Sequence, residues 1–444
     1  MTNGLLPQPD RFAMLARLLA LVLLFSAGTL SARGQAARGP SAGRASSSDT
    51  TATPTPYTTN RSIGYHILKA PAYLVYGVTR PLGWAVRYVE REFPSLFEPT
   101  RPVRGVAPLI ELGGPVGVIG GAALYDNDVF GSSHRARVQG VYGSRNFYEV
   151  QARYHVPDPV GPRSWLALSG ALATTPRDRF FLGGRQSANP ADEVEFFIRQ
   201  ITAGPQVAYT VGASMDVRHA VRYRYVDAKP ADSRLGTRFA NRAPGTPGLT
   251  TQHSVALQTE WRLDRRHRER SRYTSGTLVR LGGEYNHDVQ GDQFRYGRYV
   301  AEVRQYVPVP GLPAGRRVVL RGRLHQAEPT LRGDAVPFYA QPTLGSAEGL
   351  RGFPPERFAG NGALIVNAEY RYPIWDLWDA VLFVDTGQVF AELEDVNVRL
   401  FEVSYGGGIH LLSRTGLSFR FEVAGSNEGV RITLTADRAF RSLF

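Results

Sequence analysis

The chain has 444 residues, 43% of them apolar, a formal net charge of +13 and no cysteine, which excludes disulfides, thiolate metal sites, a cysteine nucleophile and an acylated lipoprotein cysteine. The surplus of base argues little for nucleic acid, because the arginines are spread along strand-like segments instead of gathered in one patch. Forty-seven glycines, 21 Tyr and 22 Phe beside a mean hydropathy of −0.23 suit strands with one apolar and one polar face, whose average conceals a membrane.

Residues 1–36 read as an export signal. Arg11 and Arg17 precede the apolar run Leu18 to Phe25, and Gly34-Gln35-Ala36 offers small side chains for cleavage after Ala36. That run is too short to span a bilayer as a helix. Residues 37–62 are rich in Ala, Arg, Gly, Pro, Ser and Thr, which cannot bury a core and predict a disordered linker. Residues 63–100 follow with apolar positions at helical spacing, among them Ile67, Leu74, Val78, Leu82, Ala85 and Val89, interrupted by Pro71 and Pro81. Two readings stand for this short amphipathic helix: it lies on the periplasmic rim of a barrel, or it plugs the lumen.

Beyond residue 100 the period changes from 3.6 to 2. In Arg145–Val156 an outward set Tyr148, Val150, Ala152, Tyr154 and Val156 opposes Phe147, Glu149, Gln151, Arg153 and His155. In Ser254–Leu263 the set Val255, Leu257, Thr259, Trp261 and Leu263 opposes Ser254, Ala256, Gln258, Glu260 and Arg262. In Arg317–His325 the set Val318, Leu320, Gly322 and Leu324 opposes Arg317, Val319, Arg321, Arg323 and His325. A soluble sandwich also alternates. What discriminates is that Arg and Glu recur on one face of run after run, as Arg280 with Glu284, Glu302 with Arg304 and Arg420 with Glu422. The other face carries hardly a charge. Residues 101–444 are therefore predicted to form an all-β transmembrane antiparallel β-barrel of about 16 strands. Strand boundaries are least clear between Phe180 and Tyr225, and two polar segments, Val226–Thr250 and Gln326–Gly360, interrupt the alternation.

The second polar segment carries Leu350-Arg351-Gly352-Phe353. It is followed by Glu369-Tyr370-Arg371-Tyr372-Pro373 and by Phe383-Val384-Asp385-Thr386-Gly387. This order and spacing resemble the barrel of the bacterial surface-antigen superfamily, the family of the BamA- and TamA-type outer-membrane assembly factors and the two-partner secretion transporters. The resemblance covers roughly Trp261 to Phe444 and fades toward Val103. It implies that the loop folds back into the lumen, where Arg351 meets the wall acids Glu369 and Asp385. It also implies that Phe440 and Phe444 belong to a C-terminal insertion signal, and that the first and last strands pair weakly.

The residues agree with that placement. Glu369 falls on the polar face of its strand, and roughly ten residues between Arg351 and Asn361 reach up to ~33 Å, enough to descend a wall whose apolar band is ~25 Å tall. A guanidinium forks onto carboxylates as lysine cannot. The competing reading is an exposed turn arginine with two unrelated strand acids, and Asp385 shares its face with the apolar Val381 and Phe383. The chain departs from the family where Leu263-Asp264-Arg265-Arg266 replaces an Asp-Thr-Arg-Asp strand end. Between Ala37 and Thr100 there is no room for a periplasmic POTRA domain of the family's kind beside the linker and helix, so the expectation is a short member lacking them.

The implied function is insertion or translocation of polypeptides at the outer membrane of a diderm bacterium. The alternative is a passive structural or transport barrel without client-handling activity. The expected partners are outer-membrane lipid and lipopolysaccharide, unfolded outer-membrane or secreted polypeptides and a periplasmic protein. No cofactor, metal or enzymatic activity is expected. There is no Gly-x-Ser-x-Gly elbow, His-Glu-x-x-His or phosphate loop, and Gly114, Gly117 and Gly120 do not have dinucleotide spacing.

Overall fold

The computed structural model describes residues 104–438 apart from 113–116, 184–191, 270–271, 292, 311–314, 332, 347–348, 376–377 and 413–416. The expected signal, linker, N-terminal helix and terminal Phe440 and Phe444 lie outside the described residues.

The chain forms β1 (Arg104–Leu112), β2 (Val118–Val129), β3 (His134–Gly143), β4 (Tyr148–Pro157), β5 (Ser164–Phe181), β6 (Glu193–Val211) and β7 (Met215–Pro230). A helix, α1 (Arg234–Arg242), precedes β8 (Thr251–Glu269), β9 (Arg272–Asp288), β10 (Tyr296–Pro308) and β11 (Arg317–Pro329). Then come two short ribbons, β12 (Thr343–Leu344) and β13 (Phe358–Ala359), and β14 (Gly362–Trp375), β15 (Trp378–Phe390), β16 (Glu402–Leu412), β17 (Leu417–Ser426) and β18 (Gly429–Arg438). Leaving out β12 and β13, which pair with each other, sixteen strands follow one another antiparallel around a β-barrel.

The ladder is continuous from β1 to β18 in chain order, but its two ends meet differently. The β17–β18 ladder runs from Leu417↔Arg438 to Ser426↔Gly429, and β1–β2 pair from Arg104↔Asp126 to Leu112↔Val118. Between β1 and β18 the described residues share the single position Leu112↔Ala436. This is the seam.

The alternation read from the sequence sorts as expected. Val150, Leu168, Tyr223, Leu257, Trp261, Val366, Leu382 and Ile432 are exposed large apolar side chains, all on the outer face. Their strand neighbours Arg153, Arg222, Glu260, Arg262 and Glu422 point inward into ion pairs, ring contacts and hydrogen bonds. Lipid accepts the first set without cost, whereas a charge there would be expensive. One end of the barrel carries short turns such as 212–214, and the other carries the long connections 231–250 and 330–361.

The region that alternates least clearly has its own structure. Strands β5 and β6 run for 18 and 19 residues, more than the roughly 9–11 a membrane crossing requires. At the long-loop end the inward positions of β6 and β7 become apolar: Val194, Phe196 and Ile198 of β6 and Val226 and Ala228 of β7 pack with Phe239 of α1 and with Phe338. Phe338 stands edge-on to Phe180, Phe196 and Phe239 at 5.1, 4.8 and 5.7 Å between ring centres. The segment Val226–Thr250, expected to be an irregular polar interruption, thus contains the end of β7 and a helix. Ser233 caps α1 by accepting a bond from the Gly236 N–H at 3.0 Å. The helix survives a polar sequence because Phe239 is buried in this roof.

Candidate functional site

The loop between β11 and β14 is folded by its own side chains first. β12 and β13 pair Thr343↔Ala359 and Leu344↔Phe358, pinching the segment between them into a compact tip. Leu344, Leu350, Phe353 and Phe358 bury themselves with Ala363, Ile365 and Val389 of β14 and β15. The tip is thereby anchored to the inner wall by apolar contact before any charge is considered. The Leu350 carbonyl accepts from the Phe353 N–H at 3.1 Å, and this tight turn turns Arg351 into the wall.

Arg351 is almost completely buried. Its Nε and Nη2 donate to Asp385 Oδ2 and Oδ1 at 2.9 and 2.6 Å, a bidentate fork, and its backbone N–H adds a third bond to Asp385 at 3.2 Å. Nη1 lies 2.8 Å from Glu369 Oε1 and 2.9 Å from Glu422 Oε1. The guanidinium also sits flat on the Phe383 ring, 3.5 Å from its centre. Burial disfavours the cation, but the bond to Asp385 and the charges of Glu369, Asp385 and Glu422 outweigh it and hold the Arg351 pKa above its ordinary value.

The wall strands supply one row each. Asn367, Asp385 and Ser404 are register partners on β14, β15 and β16, and both flanking side chains donate to Asp385, at 2.8 and 3.2 Å. Glu369 also accepts from Arg371 Nε at 2.7 Å, and Glu422 lies 3.0 Å from His410 Nε2. Two glycines make the approach possible. A Cβ on Gly352 would stand 2.7 Å from the Gly425 carbonyl oxygen and 2.8 Å from Ser404 Cβ, and one on Gly406 would reach 2.7 Å from the Phe383 ring. Farther along the tip, Arg357 grips Glu428 in the β17–β18 turn at 2.7 and 2.8 Å.

The structure thus brings Arg351 together with both acids named from the sequence, and it buries Leu350, Gly352 and Phe353 around them. It adds Glu422, His410, Asn367 and Ser404, which sequence reading did not assign to the site. Glu422 was visible as a polar-face charge on β17, and its parity with Glu369 across Gly406 and Gly408 was the available signal. The poor alternation around Asp385 also has a cause. Phe383, which lies beneath Arg351 of the loop, packs inside with Val381 and Ala424, so that stretch of wall is an interior rather than a wet surface.

Glu356 offers a separate readout of loop docking. It holds a left-handed backbone, φ 57°, and its carboxyl is pushed up to about 8 by burial and by the charge of Asp178, against Arg179. An acid whose folded pKa is raised gives stability that is full below its unfolded value of ~4.5 and is lost as pH rises toward about 8. The folded barrel should therefore melt progressively lower between pH 5 and 8, and Glu356→Gln should flatten that slope. Equal slopes in wild type and variant, followed as the heat-modifiable band on gels, would remove Glu356 as the cause.

A buried cation clasped by carboxylates from three strands, β14, β15 and β17, is an architectural site. Among the described residues no group of three His, Asp or Glu side chains is placed to hold a metal ion, and no helix is long and apolar enough to cross a membrane. A strand-built barrel with a lumen-docked loop defines a class of outer-membrane proteins, and the comparisons specify it. An Omp85 superfamily domain matches residues 128–428, and the chain belongs to the Omp85 superfamily of outer-membrane β-barrel proteins. A comparison with curated proteins finds no match. The fold is similar to that of BamA from Haemophilus ducreyi, solved without POTRA domains 1–3, with a TM-score of 0.58 and 15% identity over 76% of this chain and 70% of that one. It is also similar to CdiB from Escherichia coli, with a TM-score of 0.51 and 12% identity over 76% of this chain. The match spans 63% of the CdiB chain. At such identities the likeness is one of fold.

Proposed function

We propose that this barrel inserts or translocates polypeptides at the outer membrane by parting its seam between β1 and β18. The observation that carries the reading is the seam itself. Each interior strand pair is laddered along most of its length, whereas the described residues of β1 and β18 share one position. Unpaired edge N–H and C=O groups in a membrane must find partners, and an incoming extended segment supplies them by strand addition. Membership of the Omp85 superfamily supports the reading, because the family resemblance implies such clients. The loop clasp serves the same purpose: Arg351 and Arg357 fix β14–β17 and the β17–β18 turn, so movement is confined to the edge strand rather than spread through the wall. No enzymatic step is part of this proposal.

The test exploits the absence of cysteine. Register partners in an antiparallel pair have Cα atoms ~4.5–5.5 Å apart, within disulfide range, so Leu112→Cys with Ala436→Cys should cross-link the seam. In a depletion strain the oxidised, locked barrel should fail to restore the outer-membrane proteome, and reductant should restore it. Full restoration by the locked protein, or an unchanged proteome on depletion, would leave a passive barrel as the correct reading.

A further inference from the structure

The outer face of β6–β8 has two marked edges. Near the short turns the Tyr209 hydroxyl lies 3.3 Å from His219 Nε2. Toward the long loops the Tyr223 hydroxyl lies 2.6 Å from His253 Nδ1, and Tyr225 stands edge-on to the same imidazole with 4.9 Å between ring centres. Amphipathic rings of this kind gather at the level of lipid headgroups. Between the two layers the register partners Val221 and Leu257 are exposed and apolar.

Strands β6 and β7 continue past the upper layer. Phe196, Ile198, Val226 and Ala228 point inward into the roof, so Phe197, Arg199 and Lys229, at the alternate positions, point out. In the ladder Arg199 faces Asp227 and Phe197 faces Lys229, one and two pleats above the Ile201↔Tyr225 pair. Both cations are exposed, and both lie over the Phe197 ring, the Arg199 guanidinium 5.6 Å and the Lys229 ammonium 4.9 Å from its centre. The ring holds the two side chains together and supplies no counter-charge. Exposed Arg177 belongs to the β5 bulge between Thr175↔Ile198 and Asp178↔Phe196, opposite Phe197 in the ladder. Asp227 and Glu195 share these strands. Among the described residues, however, no carboxylate lies within ion-pair distance of Arg177, Arg199 or Lys229.

We propose that Arg199 and Lys229, set over Phe197 with Arg177 opposite, form a site on the outer wall for the phosphate of a membrane-lipid headgroup. The guanidinium offers a fork for two phosphate oxygens and the ammonium a point charge. The acyl chains of such a lipid run down the wall over Val221 and Leu257. The site lies on strands away from β1 and β18 in the ladder and does not require the seam to open.

Folded full-length protein in a neutral detergent is titrated with lipid A and, separately, with phosphatidylglycerol, bound lipid is counted by native mass spectrometry, and sodium phosphate is added as competitor. Saturable one-to-one binding of at least one lipid is expected, undisturbed by equimolar sodium phosphate. Arg199→Gln with Lys229→Gln should weaken it about tenfold or more, the loss of two charge-assisted contacts. Lys229→Arg should retain it. Arg265→Gln, which removes an exposed arginine of β8 near the short turns, should leave it unchanged. If the double variant gives no heat-modifiable folded band, Lys229→Gln alone is read in the same way. Saturation by neither lipid, wild-type binding by the folded Gln variant, an equal loss in Arg265→Gln, or displacement by equimolar sodium phosphate overturns the site. None of these outcomes bears on the disulfide-locked seam.

Discussion

Arg351→Ala should destabilise the folded barrel by about 3–5 kcal/mol, because it leaves carboxylates buried without their counter-charge. The cation is 2.6 Å from Asp385, 2.8 Å from Glu369 and 2.9 Å from Glu422, and all four side chains are largely hidden from solvent. Arg351→Lys should recover part of the loss, since an ammonium supplies charge but cannot fork onto Asp385 while lying flat on Phe383. The readout is the temperature at which the compact band on unboiled gels converts to the unfolded one. An alanine variant that converts at the wild-type temperature would show that the loop is held by its apolar contacts alone.

Asp379→Ala should have an effect of the same size, also about 3–5 kcal/mol, for the opposite electrostatic reason. Asp379 is fully buried at the short-turn end, receives Arg272 Nε at 2.7 Å and pairs with Arg317. Its removal takes the shared carboxylate from two guanidiniums, whose other acceptors include the Trp378 and Gly315 carbonyls. Asp379→Asn keeps an acceptor and should cost less. The comparison that gives this meaning is Asp126→Asn, whose partner Arg104 is mostly exposed, and which should shift stability by no more than about 1 kcal/mol. If the Asp379 and Asp126 variants melt alike, burial is not what sets the strength of these pairs.

Much of the barrel was legible because lipid and water impose opposite demands on alternate residues. Runs such as Ser254–Leu263 and Arg317–His325 could be assigned to faces before any contact was known. Legibility failed where that contrast fails. Around β5–β7 the inward positions turn apolar beneath α1 and Phe338, so a strand there no longer looks two-faced. The same happens at Val381 and Phe383, which cluster with Ala424 beneath Arg351. The motif pointed to Arg351, Glu369 and Asp385, but pairing at a distance leaves no mark of its own. Glu422 is 71 residues from Arg351 along the chain. Sequence gives the parity of such an acid, and only the rolled sheet gives its partner. The helix α1 was missed for a related reason, its nine residues carrying one large buried side chain.

Phe338 and Arg351 belong to the same connection, one wedged among the aromatic rings at the long-loop mouth and the other clamped within the wall. Anything that tugged or braced this mouth would be pulling on a tether whose far end grips β15 and β17. A force at that mouth would then be felt, through the thirteen residues that separate the two side chains, by strands near the edge of the sheet.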